Sequence, residues 1–302
     1  MITASYTVPQ IVCEGITAAG DNYVKIGGIG NFSVEKTFDC GQSFRFDPVT
    51  PPSIASQNAV CYRGISFGHD VTFCQTSNEL TIVGASAKDY KNIWAHYLAL
   101  DEDYDALDRM IINAMPTKQD RTVMESAVKC GAGIRILRQD PFECLISFIV
   151  SQNNNIPRIK KIITALCEKY GENGAFPTPE ALYNAGEAEI FALRTGFRAG
   201  YIFDAARQVL EGSVDLSAVD AACYEDAAEM LCKIKGVGPK VSACVLLFGF
   251  GKTEAFPIDV WMKRSLARHF PNGFDHTSLG RSAGIAQQYL FYYERWLGGE
   301  AN

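Results

Sequence analysis

The sequence predicts an α+β protein, an antiparallel sheet in the first third and a mostly helical remainder, on three observations. With 302 residues, 47% hydrophobic and 21% charged, the chain has the composition of a globular protein with an ample core. Short runs of strand-forming residues separated by turn residues fill the positions before Tyr90. From Tyr90 the apolar spacing turns helical, and beyond Thr117 helix signals dominate.

In chain order, Tyr23-Val24-Lys25-Ile26, Ser43-Phe44-Arg45-Phe46, Ala59-Val60-Cys61-Tyr62, Val71-Thr72-Phe73-Cys74 and Leu80-Thr81-Ile82-Val83 read as strands. Each is short and set off by turn residues, and together they suggest one antiparallel sheet. Helices are expected over 140–152, 156–170, 179–184, 198–210, 224–234, 240–249, 260–269 and 279–296. A boundary near Pro116 separates a sheet domain, 1–116, from a helical domain, 117–302, on which the sheet is expected to pack. No internal repeat or low-complexity tract is evident.

The ten cysteines form no Cys-x-x-Cys pair and no four-cysteine cluster, so zinc and iron–sulfur centres lack a ligand set. A reduced cytoplasmic or nuclear setting fits that pattern. No basic-then-apolar leader and no run of 18 apolar residues occurs, so neither secretion nor a membrane span is expected.

A net charge of −6 argues at first sight against a nucleic-acid partner, but the charge is unevenly spread. Residues 1–116 carry 7 basic and 13 acidic groups, whereas residues 117–302 carry 21 of each. Between 230 and 270, Lys233, Lys235, Lys240, Lys252, Lys263, Arg264 and Arg268 face only Glu254 and Asp259. Such a patch can track phosphates, with modest non-specific affinity and strong salt sensitivity. Taken alone it reads more readily as a solvated basic face.

The richest segment is Leu231-Cys232-Lys233-Ile234-Lys235-Gly236-Val237-Gly238-Pro239-Lys240-Val241. Gly236 and Gly238 permit a tight backbone whose N–H groups can point at a phosphate. Pro239 suits the first position of the helix that resumes at Val241, because its missing N–H would be unpaired there anyway. Lys240 therefore falls in the first turn, at the positive end of the helix dipole, where the field favours the neutral amine a nucleophile requires. Nineteen residues on, Phe256-Pro257-Ile258-Asp259-Val260-Trp261 places a carboxylate at the start of another helix. A phosphate-facing turn, a candidate nucleophilic lysine and a nearby acid suggest excision of a DNA base.

With these residues the chain resembles the 8-oxoguanine DNA glycosylase family of the helix–hairpin–helix glycosylase superfamily. The likeness runs in the family's order through Cys40-Gly41-Gln42-Ser43-Phe44-Arg45, Asp140-Pro141-Phe142-Glu143-Cys144, Ser151-Gln152-Asn153-Asn154-Asn155-Ile156-Pro157-Arg158, the hairpin, Pro257-Ile258-Asp259-Val260, and Ala286-Gln287 to Phe291. It implies a bifunctional DNA glycosylase and abasic-site lyase acting on double-stranded DNA that contains 8-oxoguanine, preferentially opposite cytosine. Lys240 would attack C1′ and form a Schiff base, and Asp259 would stabilise the charge developing on the sugar. Gly41 would offer its carbonyl to N7–H of the lesion, Cys244 and Phe291 would sandwich the extruded base, and Gln287 would read its Watson–Crick edge.

By the same resemblance, Asn153 would fill the space the base vacates, Arg158 and Arg198 would hold the estranged cytosine, and Phe197 would wedge the kink. Gly236, Val237, Gly238 and Lys240 would meet phosphate. No cofactor is required, although the family leaves room for a monovalent or calcium ion on the carbonyls of Cys232, Ile234 and Val237. A monomer is expected, nucleoid-associated in a prokaryote or nuclear in a eukaryote. Trp261 departs from the histidine of eukaryotic members, and Glu294 occupies the position of the acid that pairs with it.

Each role has a plainer alternative. Lys240 could face solvent, Asp259 could be only a helix cap, Gly41 a turn glycine, Cys244 and Phe291 core, and Gln287 a surface residue. Two competing readings are an alkylated-base glycosylase of the same superfamily and a non-catalytic helix–hairpin–helix DNA-binding protein. Lys240 and Gly41-Gln42 argue against the first, and Lys240 with Asp259 against the second.

Overall fold

The computed structural model describes residues 6–297. Alternation builds the sheet. In β2 (Asn22–Gly27) Val24 and Ile26 are buried while Tyr23 and Lys25 face outward, as a half-covered strand requires. The remaining strands are β1 (Gln10–Ile16), β3 (Phe46–Val49), β4 (Val60–Ser66), β5 (His69–Gln75) and β6 (Glu79–Val83), in the spatial order β1-β2-β6-β5-β4-β3. The pairs β1/β2, β2/β6, β5/β6 and β3/β4 are antiparallel, as expected.

Two strands depart from the sequence reading. β1 is an additional edge strand whose alternation is broken by a register shift between Ile11 and Cys13, and most of its residues are exposed. The strand expected at Ser43–Phe46 begins only at Phe46, because Gly41 turns the chain with φ +86° and pairing with β4 starts at Phe46 opposite Gly64. Behind the sheet, Phe38 of α1 (Val34–Asp39) stacks on Phe46 at 4.3 Å and on Phe73 at 5.5 Å. Trp94, from a π-helical turn, meets Tyr97 edge-on at 5.5 Å. Cys61 and Cys74 form a disulfide between β4 and β5, with Cα atoms 4.2 Å apart. The two lie 13 positions apart in sequence, and that spacing alone does not foretell the bond.

The longer helices are α2 (Tyr104–Asn113), α3 (Lys118–Gly131), α4 (Pro141–Ser151), α5 (Ile156–Tyr170), α6 (Pro179–Ile190) and α7 (Ala199–Leu210). They are followed by α8 (Leu216–Ala221), α9 (Tyr224–Leu231), α10 (Pro239–Gly249), α11 (Val260–His269) and α12 (Ala283–Leu297). Their starts are chemically specified. Thr117, Asp140, Asn155, Thr178 and Asp259 each accept a hydrogen bond from an N–H three residues on. Proline stands in the first turn of α4, α5, α6 and α10. α4 and α10 are apolar on nearly every side and buried, and Phe148 of one stacks on Phe248 of the other at 5.5 Å.

By contact density the chain forms two compact units. The first comprises Met1–Gly64, His69–Arg138 and Gln288–Asn302, and the second Ile65–Gly68 and Gln139–Gln287. The change of texture near Pro116 falls inside the first. Among the described residues no helix is long and apolar enough to cross a membrane.

Candidate active site

Within the second unit, α9 ends at Cys232 and a hairpin leads into α10. Ile234 N–H donates to Leu231 O at 3.1 Å and Val237 N–H to Ile234 O at 3.0 Å, so the Val237 amide is turned inward. The amides of Gly236 and Gly238 take no part in those internal bonds. Gly236 has φ +83°, and a Cβ there would stand 2.3 Å from the Tyr201 ring, so glycine is required on two counts. Gly238, expected to share that freedom, is instead extended (φ −109°, ψ −176°) and caps α10 by its backbone. Among the described residues no group of three or more His, Cys, Asp or Glu could hold a metal ion.

Pro239 is the first residue of α10, and Lys240 follows half-buried in the first turn. Its Nζ lies 5.5 Å from the centre of the Phe148 ring, a floor that the sequence reading did not identify. Cys244 is buried one turn further on. Burial pushes its thiol up, the Lys240 charge pulls it down and the Asp259 charge pushes it up again, so amine, thiol and carboxylate share one neighbourhood. Asp259 caps α11 by accepting from Met262 N–H through Oδ1 at 2.7 Å. Asp259 thus caps α11 while its charge bears on Cys244.

In the same unit Asn153, just past α4, adopts φ +47°. Arg198 is 2% exposed and fastens this turn: Nε donates to Gln152 O at 2.9 Å and Nη2 to Asn153 O at 2.9 Å. Another donation, from Nη1, reaches Thr195 O at 3.2 Å. Burial, then the Arg158 charge, lowers Arg198 from its ordinary value, which places the two guanidiniums near each other. Arg158 is exposed and donates to Arg194 O at 3.2 Å, beside a cleft of about 620 Å³ lined by Pro157, Ile162, Ala165 and Leu193. Phe197 is 55% exposed, with one edge set against Tyr201 at 5.9 Å. Tyr201 thus supports both the wedge candidate and Gly236. Trp261 has the Arg264 guanidinium 5.7 Å from its ring.

Gln287, the last residue of the second unit, is 6% exposed, and its buried Oε1 has no hydrogen-bond partner among the described residues. That excludes a surface role and leaves an acceptor awaiting a donor. In the first unit, Gln42 is buried and clamps the segment around Gly41. Its Nε2 donates to Arg135 O at 2.7 Å and Thr37 O at 2.9 Å, while Oε1 accepts from Leu137 N–H at 2.9 Å. A Cβ on Gly41 would stand 3.9 Å from Phe291, an ordinary contact, so the positive φ rather than lack of room is what requires glycine. Gln288 and Arg295 join Phe291 near this segment, although sequence alone did not single them out. Helical spacing from Phe291 could have found Arg295. Glu294 is buried in the first unit.

Residues 28–145 match the family described as 8-oxoguanine DNA glycosylase, N-terminal domain, and residues 146–278 that described as HhH-GPD superfamily base excision DNA repair protein. A probable N-glycosylase/DNA lyase of Methanothermobacter thermautotrophicus is 34% identical over 200 residues, covering 54% of this chain and 64% of that protein. The chain spans less than two thirds of the length of the curated relatives first matched. MBOgg1, solved with a low-affinity DNA ligand, superposes with a TM-score of 0.85 at 34% identity, over 97% of this chain and 100% of that one. The 8-oxoguanine glycosylase/lyase of Clostridium acetobutylicum, solved with double-stranded DNA carrying cytosine opposite 8-oxoG, gives 0.82 at 32% identity over 97% and 99%.

Proposed function

The chain belongs to the 8-oxoguanine DNA glycosylase family, and from that premise we propose that it excises 8-oxoguanine from duplex DNA and then cleaves the strand as a lyase. The observation that carries the reading is the convergence of Lys240, Cys244 and Asp259 at the start of α10. The Lys240 amine attacks C1′ as the C1′–N9 bond breaks, and the departing base takes up a proton. Asp259, its orientation fixed by the cap, stabilises the positive charge that develops on the sugar. Ring opening gives a Schiff base on Lys240. Loss of a C2′ proton then expels the 3′ phosphate, and water releases the enzyme.

Specificity is divided among further residues. The Gly41 carbonyl accepts from N7–H, a donor that guanine lacks. Phe291 and Cys244 stack on the base, and the buried Gln287 amide reads its Watson–Crick edge. Asn153 fills the vacated space, Phe197 enters the kink, and Arg158 and Arg198 favour cytosine by about one to two orders of magnitude over adenine, which offers an amino donor where cytosine offers acceptors. The Gly236 and Gly238 amides and Lys240 meet the backbone phosphate, whereas the Val237 amide, expected to join them, is spent on Ile234 O. The cytosine in the Clostridium complex supports this reading of the partner base. No cofactor takes part. A monovalent or calcium ion would sit on the carbonyls of Cys232, Ile234 and Val237 and brace the hairpin.

Borohydride reduces a Schiff base to a stable amine, which supplies the test. The protein should be trapped on duplex containing 8-oxoguanine, and Lys240→Gln should bind that duplex without trapping. Trapping undiminished in Lys240→Gln would remove the lysine from the mechanism.

A further inference from the structure

We propose that Arg295 is a second reader of the lesion, a specificity-determining cation that donates to the C8 oxygen while the Gly41 carbonyl accepts from N7–H. This rests on the reading of the chain as an 8-oxoguanine glycosylase. Gln288, Phe291 and Arg295 follow one another at intervals of three and four along α12 and so share a face. Gln288 Nε2 donates to Cys40 O at 2.9 Å, which ties that face to the recognition segment. Phe291 Cε1 and Arg295 Nη1 each lie 3.9 Å from the point a Cβ on Gly41 would occupy. The Arg295 guanidinium is 5.8 Å from the centre of the Phe291 ring, beside the surface on which the base would stack. Cys40 also feels it: burial pushes that thiol up to about 12, and the Arg295 charge is among the influences that lower it.

Two atoms distinguish the lesion from guanine. N7 gains a hydrogen, and C8 carries an oxygen in place of hydrogen. A backbone carbonyl can sense the first change only. An acceptor at C8 calls for a donor, and a guanidinium supplies one with formal charge, making a bond roughly twice as strong as a neutral one. Guanine presents a weakly positive C8–H to the same cation and gains nothing. Among the described residues Arg295 forms no ion pair, so its charge is not already spent on a carboxylate.

The test uses the full chain carrying Lys240→Gln, so that binding is measured without turnover, and compares it with the same protein also carrying Arg295→Met. Three duplexes are titrated at fixed salt, each opposite cytosine: 8-oxoguanine, 8-oxo-7-deazaguanine, which keeps the oxygen but loses N7–H, and a tetrahydrofuran abasic analogue. Arg295→Met should weaken binding of the first two by the same factor, roughly tenfold. It should weaken the abasic duplex by less than about twofold, since phosphate contacts are untouched. Arg295→Lys, which keeps the charge, should recover part of the loss. Equal loss on all three duplexes would make Arg295 a phosphate contact and overturn the proposal, as would no loss on any. A control duplex with undamaged guanine in the same position is titrated alongside, and failure of the Lys240→Gln protein to prefer 8-oxoguanine over it would instead overturn the underlying functional reading.

Discussion

Asp259 uses one carboxylate for two tasks, and substitution can separate them. Oδ1 accepts from Met262 N–H at 2.7 Å, while the negative charge bears on Cys244, which also feels the Lys240 charge. Asparagine keeps an oxygen for the cap and loses the charge; alanine loses both. Asp259→Asn should therefore melt close to the parent protein yet lose about 10²–10³ in single-turnover excision, a typical consequence of removing one preorganised electrostatic partner. Asp259→Ala should lose comparable activity and in addition about 1 kcal/mol of stability. Equal destabilisation by the two variants would mean that the charge, rather than the cap, holds the start of α11.

At the scale of elements, the two hairpin glycines are not equivalent. Gly236→Ala forces an L-residue to φ +83° and drives a methyl group into Tyr201, whereas at Gly238 the backbone is extended and a Cβ would meet nothing within 4 Å. Gly236→Ala should lower both melting temperature and duplex affinity. Gly238→Ala should cost only a few tenths of a kcal/mol, because its conformation is open to any residue. Identical thermal and binding losses in both variants would contradict this asymmetry. The sequence reading treated the two alike, because a Gly-x-Gly pattern carries no sign of φ. α5 and α11, by comparison, were legible to the residue, since apolar spacing and the capping side chains of Asn155 and Asp259 agree on where each begins. β1 was hidden because an edge strand with a bulge has no clean alternation. The burial of Arg198 was hidden for a different reason: its partners are the carbonyls of Gln152, Asn153 and Thr195, and carbonyls leave no mark in a sequence.

At the scale of the whole molecule, stability should depend on pH through Asp108 of α2. Burial pushes this carboxyl up to about 6, while a hydrogen bond from the Tyr289 hydroxyl at 3.0 Å and the charges of Arg135 and Arg109 pull it down and Asp105 pushes it up. A carboxyl raised by folding is neutral in both states below about pH 4, and between pH 4 and pH 6 ionises first in the unfolded chain. Its stabilising contribution is thus lost as pH rises through that window. Asp108→Asn, which keeps an acceptor for Tyr289, should melt higher than the parent at pH 7, with the advantage vanishing towards pH 4. A difference in melting temperature that stays constant from pH 4 to pH 7 would assign the effect to another group. The division of α12 between Gln287 and Gln288 bears on the order in which the molecule is made. Ribosomes deliver Gly41 early, yet the unit that contains it stays incomplete until Gln288, Phe291 and Arg295 have left the exit tunnel. A nascent chain that has reached Gln287 already carries Lys240 and Asp259. The side chains proposed for chemistry are thus made before those that close around Gly41, and a chain that stops at Gln287 lacks the α12 face, Gln288, Phe291 and Arg295, that lies against this segment.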